Sequence, residues 1–218
     1  FTKYMRGFGY EPLIYTAEDP EYPSIDESLL KDLPENLTVL KTKVWEPYDL
    51  YKKFTGKKKG HRINTGFLNQ DKKKGMAEKI SIWIRGNLFI PDARKFWIKP
   101  SINFLKEYLD NNPVDLIATT GPPHSIHLIG MGLSRLKGLP WIADFRDPWT
   151  KIDYYEDLML SRYADRRHHT LESRVIRNAS YVTVNSHDMK KDFNGLGVDT
   201  IKVIPNGFDP EDFKEDEV

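Results

Sequence analysis

An α/β domain built on a doubly wound, mainly parallel sheet with helices on both faces is predicted by three features of this 218-residue chain. Six short β-rich segments recur along it, each closed by a loop signal. Several are continuous apolar runs, which is how strands buried on both sides of a parallel sheet read. Between them lie helical periodicities, and the βαβα alternation that results is the pattern of crossover-connected strands.

The elements follow in order. Phe1, Tyr4, Met5 and Phe8 fall at helical spacing and Gly7 and Gly9 supply a C-cap, so the chain is expected to open inside a helix with further residues upstream. Strands are expected at "EPLIYTAE" (11–18), "NLTVLKTKVW" (36–45), "VDLIATTG" (114–121), "LPWIADFRD" (139–147), "SYVTVNS" (180–186) and "TIKVIPNG" (200–207). Helices are expected around Ile102, Leu105, Tyr108 and Leu109, around Ile126, Leu128, Ile129, Leu133 and Leu136, and from about Tyr154 to Asn178. No internal repeat or heptad array is present.

Composition narrows the function classes. Thirty-three basic and thirty-two acidic residues nearly cancel, so no overall field points to nucleic acid. The absence of cysteine removes disulfide and thiolate chemistry and suits a cytoplasmic setting. No apolar run approaches the roughly 20 residues that cross a bilayer, and the first ten residues lack the regions of a signal peptide. Residues 52–79 break the pattern: lysines crowd there and periodicity disappears, as in a basic insertion loop. A solvated surface insertion accounts for it. So does a peripheral contact with an anionic membrane surface through 52–97, because Ile82, Trp83, Ile84, Leu88, Phe89, Phe96 and Trp97 follow directly. Packing of those aromatics in a core is the plainer account.

Ligands of open α/β sheets bind beyond the carboxyl ends of the strands, where helix N-termini offer unpaired amides. The stretch "IATTGPPHSIHLIG" (117–130) fits: a strand to Thr119, a cap at Thr120 or Gly121, and Pro122 at the first helical position. Pro123, His124 and Ser125 then stand at the sheet's mouth. A stiff structural turn with a surface histidine is the alternative. His127 follows His124 by three residues, but no carboxylate joins them at ligand spacing and no metal is expected. "ADFRDPW" places Asp144, Arg146 and Asp147 at the next strand's end, either as an anion clamp and sugar-hydroxyl acceptor or as a local ion pair with a helix cap. Asn185 and Ser186 cap the helix expected from 187, Asn206 and Gly207 form a turn, and the acidic tail 211–217 reads as an exit linker.

Taken together, "TTGPPHS", "WIADFRDPW", the "LE" at 171–172 with "VIRNASYVTVNS", and "IKVIPNGFD" resemble the N-terminal, acceptor-side domain of bacterial family 4 glycosyltransferases, retaining enzymes of GT-B architecture. The resemblance implies a Rossmann-like half of a GT-B fold over 1–207, lacking its first strand, with 208–218 leading toward an absent second domain. It implies transfer of a sugar from a nucleotide-diphosphate sugar to a lipid-linked or polysaccharide acceptor in surface glycan synthesis, without metal or other cofactor, in the cytoplasm or peripherally at the inner membrane face. A fragment of this extent is expected to be inactive alone. The resemblance also puts catalytic roles on His124 and Asp147 and a substrate-side role on the loop of Thr120, Gly121, Pro122, Pro123 and Ser125; Asp144, Arg146, Asn185, Ser186, Asn206 and Gly207, at the ends of the neighbouring strands, complete the expected substrate contacts. A sugar-nucleotide 2-epimerase of the same architecture and a non-catalytic membrane-surface module are the rival readings. A nicotinamide dehydrogenase is disfavoured because no G-x-G-x-x-G follows a strand. Sugar, nucleotide, acceptor and oligomeric state stay open.

Overall fold

The computed structural model describes residues 2–18, 30, 32–45 and 76–209. Most of the basic loop, at 52–75, and the acidic tail, at 210–218, lie outside the described residues. The chain divides into two compact units, Phe1–Gly75 and Met76–Val218.

In the first unit, α1 (Thr2–Met5) passes into a 3-10 turn over Arg6–Phe8 that ends at Gly9, whose φ of 81° is the left-handed conformation expected of a glycine C-cap. Arg6 donates from Nε and Nη2 to the two carboxylate oxygens of Glu11, at 2.9 and 2.6 Å. β1 (Leu13–Glu18) and β2 (Thr38–Lys43) pair in parallel, with Leu13 opposite Thr38.

The second unit carries α2 (Met76–Leu88), α3 (Ile98–Asn111), β3 (Ile117–Gly121), α4 (Ser125–Lys137), β4 (Trp141–Phe145), α5 (Arg162–Asn178), β5 (Tyr181–Val184), α6 (His187–Asn194) and β6 (Ile201–Val203). All four strands are parallel, in the order β3-β4-β5-β6. The protein is thus α/β and Rossmann-like. Its six described strands nevertheless form two sheets, of two and four, where the sequence suggests one row.

Three successive crossovers step across the sheet in one direction. Right-handed connections place their helices on one face when the steps do not reverse. Burial agrees: Trp141, Ala143, Phe145, Val182 and Val184 are buried with Leu171, Val175 and Ile176 of α5 and Met189 and Phe193 of α6. The alternate residues Thr120, Asp144, Tyr181 and Thr183 point to the other face and are exposed or half-buried. Continuous apolar runs therefore do not here mean equal burial of both sides.

α4 lies close against the strands because Gly130 has no side chain. A Cβ there would stand 2.5 Å from Thr119 Cγ2 and 2.6 Å from Trp141 Nε1. α4 ends at Gly138 with φ 67°, and α5 and α6 begin on Ser161 and Ser186, whose hydroxyls accept from Ala164 N and Met189 N, each at 3.2 Å.

Candidate active site

Because β3 to β6 are parallel, their carboxyl ends form one rim, and the candidate catalytic and substrate-contact residues named from the sequence lie on it or just beyond it. The turn after β3 differs from the expected one. The ladder runs on through Gly121, opposite Phe145, and Arg146 N donates to Gly121 O at 3.1 Å. Strand pairing thus claims Thr120 and Gly121, Pro122 and Pro123 form the turn, and both prolyl bonds, 121–122 and 122–123, are cis. The helix starts at Ser125 with His124 as its N-cap, three residues later than a Pro122 start.

The first-turn amides of α4 are all taken. Ser125 N donates to Asp92 Oδ2 at 2.7 Å, Ile126 N to Pro123 O at 3.2 Å and His127 N to His124 O at 3.1 Å. A carboxylate from a distant segment thus occupies the position that an anionic ligand would take at this helix end. The expectation that this turn presents free amide donors does not hold. Burial pushes the Asp92 carboxyl above its usual range, opposed by the amides of Ser125 and Arg94.

His124 stacks on Trp149 with ring centroids 4.7 Å apart and planes within 1°. Burial, with a smaller contribution from His168, lowers its pKa to about 3, so the ring is neutral at physiological pH. Its Nδ1 is buried without a hydrogen-bond partner among the described residues. His127 is completely buried and held well below the usual histidine range by desolvation. Trp141 Nε1 donates to Thr119 Oγ1 at 2.8 Å, and that hydroxyl meets His127 Nδ1 at 2.9 Å. The same hydroxyl lies 3.4 Å from Ile142 O, so Thr119 joins the indole, the imidazole and the β4 backbone, and His127 Nε2 faces Gly121. A Cβ on Gly121 would stand 2.6 Å from that nitrogen.

The floor under His124 is fixed by residues that the sequence reading did not nominate. Trp149 Nε1 donates to His168 Nδ1 at 3.0 Å, and His168 Nε2, therefore protonated, meets Gly86 O at 3.3 Å. Burial also lowers the His168 pKa. Buried Glu172 accepts from Thr150 N at 3.1 Å and from Thr150 Oγ1 at 2.5 Å. One signal existed for these two: His168 and Glu172 share the helical spacing of Leu171 and Val175, so two polar groups sit in an apolar stripe. Asp92 had no such signal.

Along the rim, Thr120 and Thr183 donate to the two oxygens of Asp144, at 2.7 and 2.6 Å, making a hydroxyl–carboxylate–hydroxyl row across β3, β4 and β5. Asp144 is therefore not the partner of Arg146, whose Nη2 instead reaches Pro122 O at 3.4 Å. Asn185 Nδ2 donates to Arg146 O, while Ser186 caps α6 as expected. Asp147 is exposed and has no hydrogen-bond or ion-pair partner among the described residues, and it caps no helix, since α5 begins on Ser161. The structure thus brings together Thr120, Gly121, Pro122, Asp144, Arg146 and Asn185, with His124 tied to the same loop through Trp149. Asn206 and Gly207 are exposed in irregular chain after β6. Among the described residues, no group of three or more acidic or histidine side chains is placed to hold a metal ion.

The model of the family described as Glycosyltransferase Family 4 matches residues 57–212. No curated protein matches the chain.

Proposed function

The chain belongs to Glycosyltransferase Family 4, and on that premise we propose that it is the N-terminal, acceptor-side half of a retaining bacterial enzyme. That enzyme moves a sugar from a nucleotide-diphosphate donor to a lipid-linked or polysaccharide acceptor, in surface glycan synthesis at the cytoplasmic face of a membrane, without metal or other cofactor.

The observation that carries the acceptor-side assignment is the state of the turn after β3. With its amides spent on Asp92 and on the turn's own carbonyls, and with His124 uncharged, this corner suits a neutral, hydroxyl-bearing ligand better than a diphosphate. The exposed carboxylate of Asp147, with no partner among the described residues, and the exposed Thr120 beside Asp144 are groups that meet sugar hydroxyls. In the proposed reaction the bond from the anomeric carbon to the leaving phosphate oxygen breaks while the acceptor oxygen bonds that carbon on the same face. The hydroxyl proton passes to the departing diphosphate. Asp147 orients the attacking hydroxyl, His124 holds a neighbouring one, and Arg146 is the cation nearest the developing charge.

The test uses the complete reading frame that encodes this chain, incubated with labelled nucleotide sugars with and without membrane extract. Label should enter the lipid or polysaccharide fraction only when extract is present; a new product from donor alone would overturn the reading in favour of an epimerase. His124→Ala and Asp147→Asn should keep the fold and lower turnover on the order of a hundredfold. Wild-type rates in both would remove the two role assignments.

A further inference from the structure

α2 carries a face that the site does not use. Met76, Ile80, Trp83 and Ile84 recur at i, i+4, i+7 and i+8, and so lie on one side of the helix. They are 78, 53, 43 and 37% exposed. Gly86 lies against Leu158 and Leu160, and Asn87, the next residue along the same stripe, donates to Met159 O and accepts from Ser161 N, so the stripe is anchored at its last turn. Beyond that turn Leu88 and Phe96 are again exposed, with Lys95 over the rings of Phe89 and Phe96.

Charge says what covers the stripe. From 76 to 99 the sequence has five basic residues and two acidic ones, and one of the two, Asp92, is bound to amides. Lys79 and Lys99 are exposed. The sequence at 52–75, outside the described residues, holds nine more basic residues against one acidic, in a chain whose net charge is +1. A second copy of the chain would set like charge against like. An anionic surface with an apolar interior matches both the stripe and the exposed Lys79 and Lys99.

We propose that the exposed face of α2 lies in the headgroup region of an anionic lipid bilayer, with Trp83, Ile80 and Ile84 entering the acyl boundary and Lys79 and Lys99 at the phosphates. No described helix is long and apolar enough to cross a membrane, so α2 lies on the surface and does not span it. This deepens the reading above by naming the surface that brings the enzyme to a lipid-linked acceptor, and it rests on that reading only for its purpose.

Sedimentation with vesicles of about one-third phosphatidylglycerol in phosphatidylcholine tests the contact without any sugar transfer. The protein should pellet with these vesicles at low salt, and not with pure phosphatidylcholine. Ile80→Ser with Trp83→Ser should weaken pelleting by roughly tenfold or more, and Lys79→Ser by roughly fivefold. Brominated acyl chains should quench tryptophan emission, and the conservative Trp83→Phe should remove that quench while leaving pelleting near wild type. Trp97, Trp141 and Trp149 are buried, and Trp45 is controlled by Trp45→Phe. Absence of pelleting, or pelleting unchanged in the double variant, overturns the proposal. So does self-association in the absence of lipid that the double variant abolishes, which would make the stripe an interface between copies. Vesicle binding by a protein that transfers no sugar would leave the docking surface standing and strike only the proposed reaction.

Discussion

The turns after β3 and after β5 do the same job in the same sheet by different means. After β5 the cap is local: Ser186 accepts from Met189 N, and the neighbouring Asn185 ties the turn to Arg146 O. After β3 the cap comes from Asp92, thirty-three residues upstream of the amide it accepts. A local hydroxyl cap is neutral and costs little to bury. A remote carboxylate must give up water, which is why its pKa rises, and it binds the start of α4 to the 90–94 segment. The two imidazole nitrogens buried without partners, His124 Nδ1 and His127 Nε2, both lie at the β3 turn. One turn is a routine connection. The other is held by tertiary contacts and carries buried polar atoms that hydrogen bonds among the described residues do not satisfy.

The sharpest way to break this comparison is to remove the two caps in turn. Asp92→Ala leaves the amides of Ser125 and Arg94 without their acceptor and should cost about 2–3 kcal/mol, measured as a lower urea midpoint at unchanged slope. An effect no larger than that of the local cap would erase the distinction.

Acid should act next. His124, His127 and His168 all have folded-state pKa values below that of an unfolded histidine. Their neutral forms favour the fold, in full above about pH 6.5, and that contribution is lost as pH falls, for His124 down to about 3. Asp92, with its raised value, works in the opposite sense and offsets part of the loss at the acid end. Urea midpoints should therefore decline from pH 7 to pH 4, and His124→Phe should flatten the decline; a profile identical to wild type would show that the ring is solvated.

The smallest effect belongs to Ser186→Ala, which loses one capping bond and should cost about 1 kcal/mol, with no change in the pH profile. A cost near that of Asp92→Ala would mean that the β5 turn is also part of a larger network.

Strands and local caps were legible because their signals are carried by neighbours in sequence. "SYVTVNS" contains both the strand and the serine that caps the next helix, and Gly9 closes its turn where a glycine after a helical run is expected. At "TTGPPHS" two local rules compete, and strand pairing with Phe145 outlasts the preference of proline for a helix start, so the helix begins three residues beyond Pro122. Proximity in sequence also suggested an Asp144–Arg146 pair. The pleat instead aims Asp144 at the two threonines opposite it in register.

By itself the sequence determined the parallel α/β class, the succession of strands and helices, and the rim on which the candidate residues stand. Periodicity and turn chemistry act over a few residues and leave their mark there. Tertiary structure alone decided that Asp92 caps α4, that His124 lies flat on Trp149, and that His168, bonded to Gly86 eighty-two positions away, holds that indole. It also decided that these histidines are neutral, because desolvation depends on what the whole fold packs around a group, and no short stretch of chain encodes that.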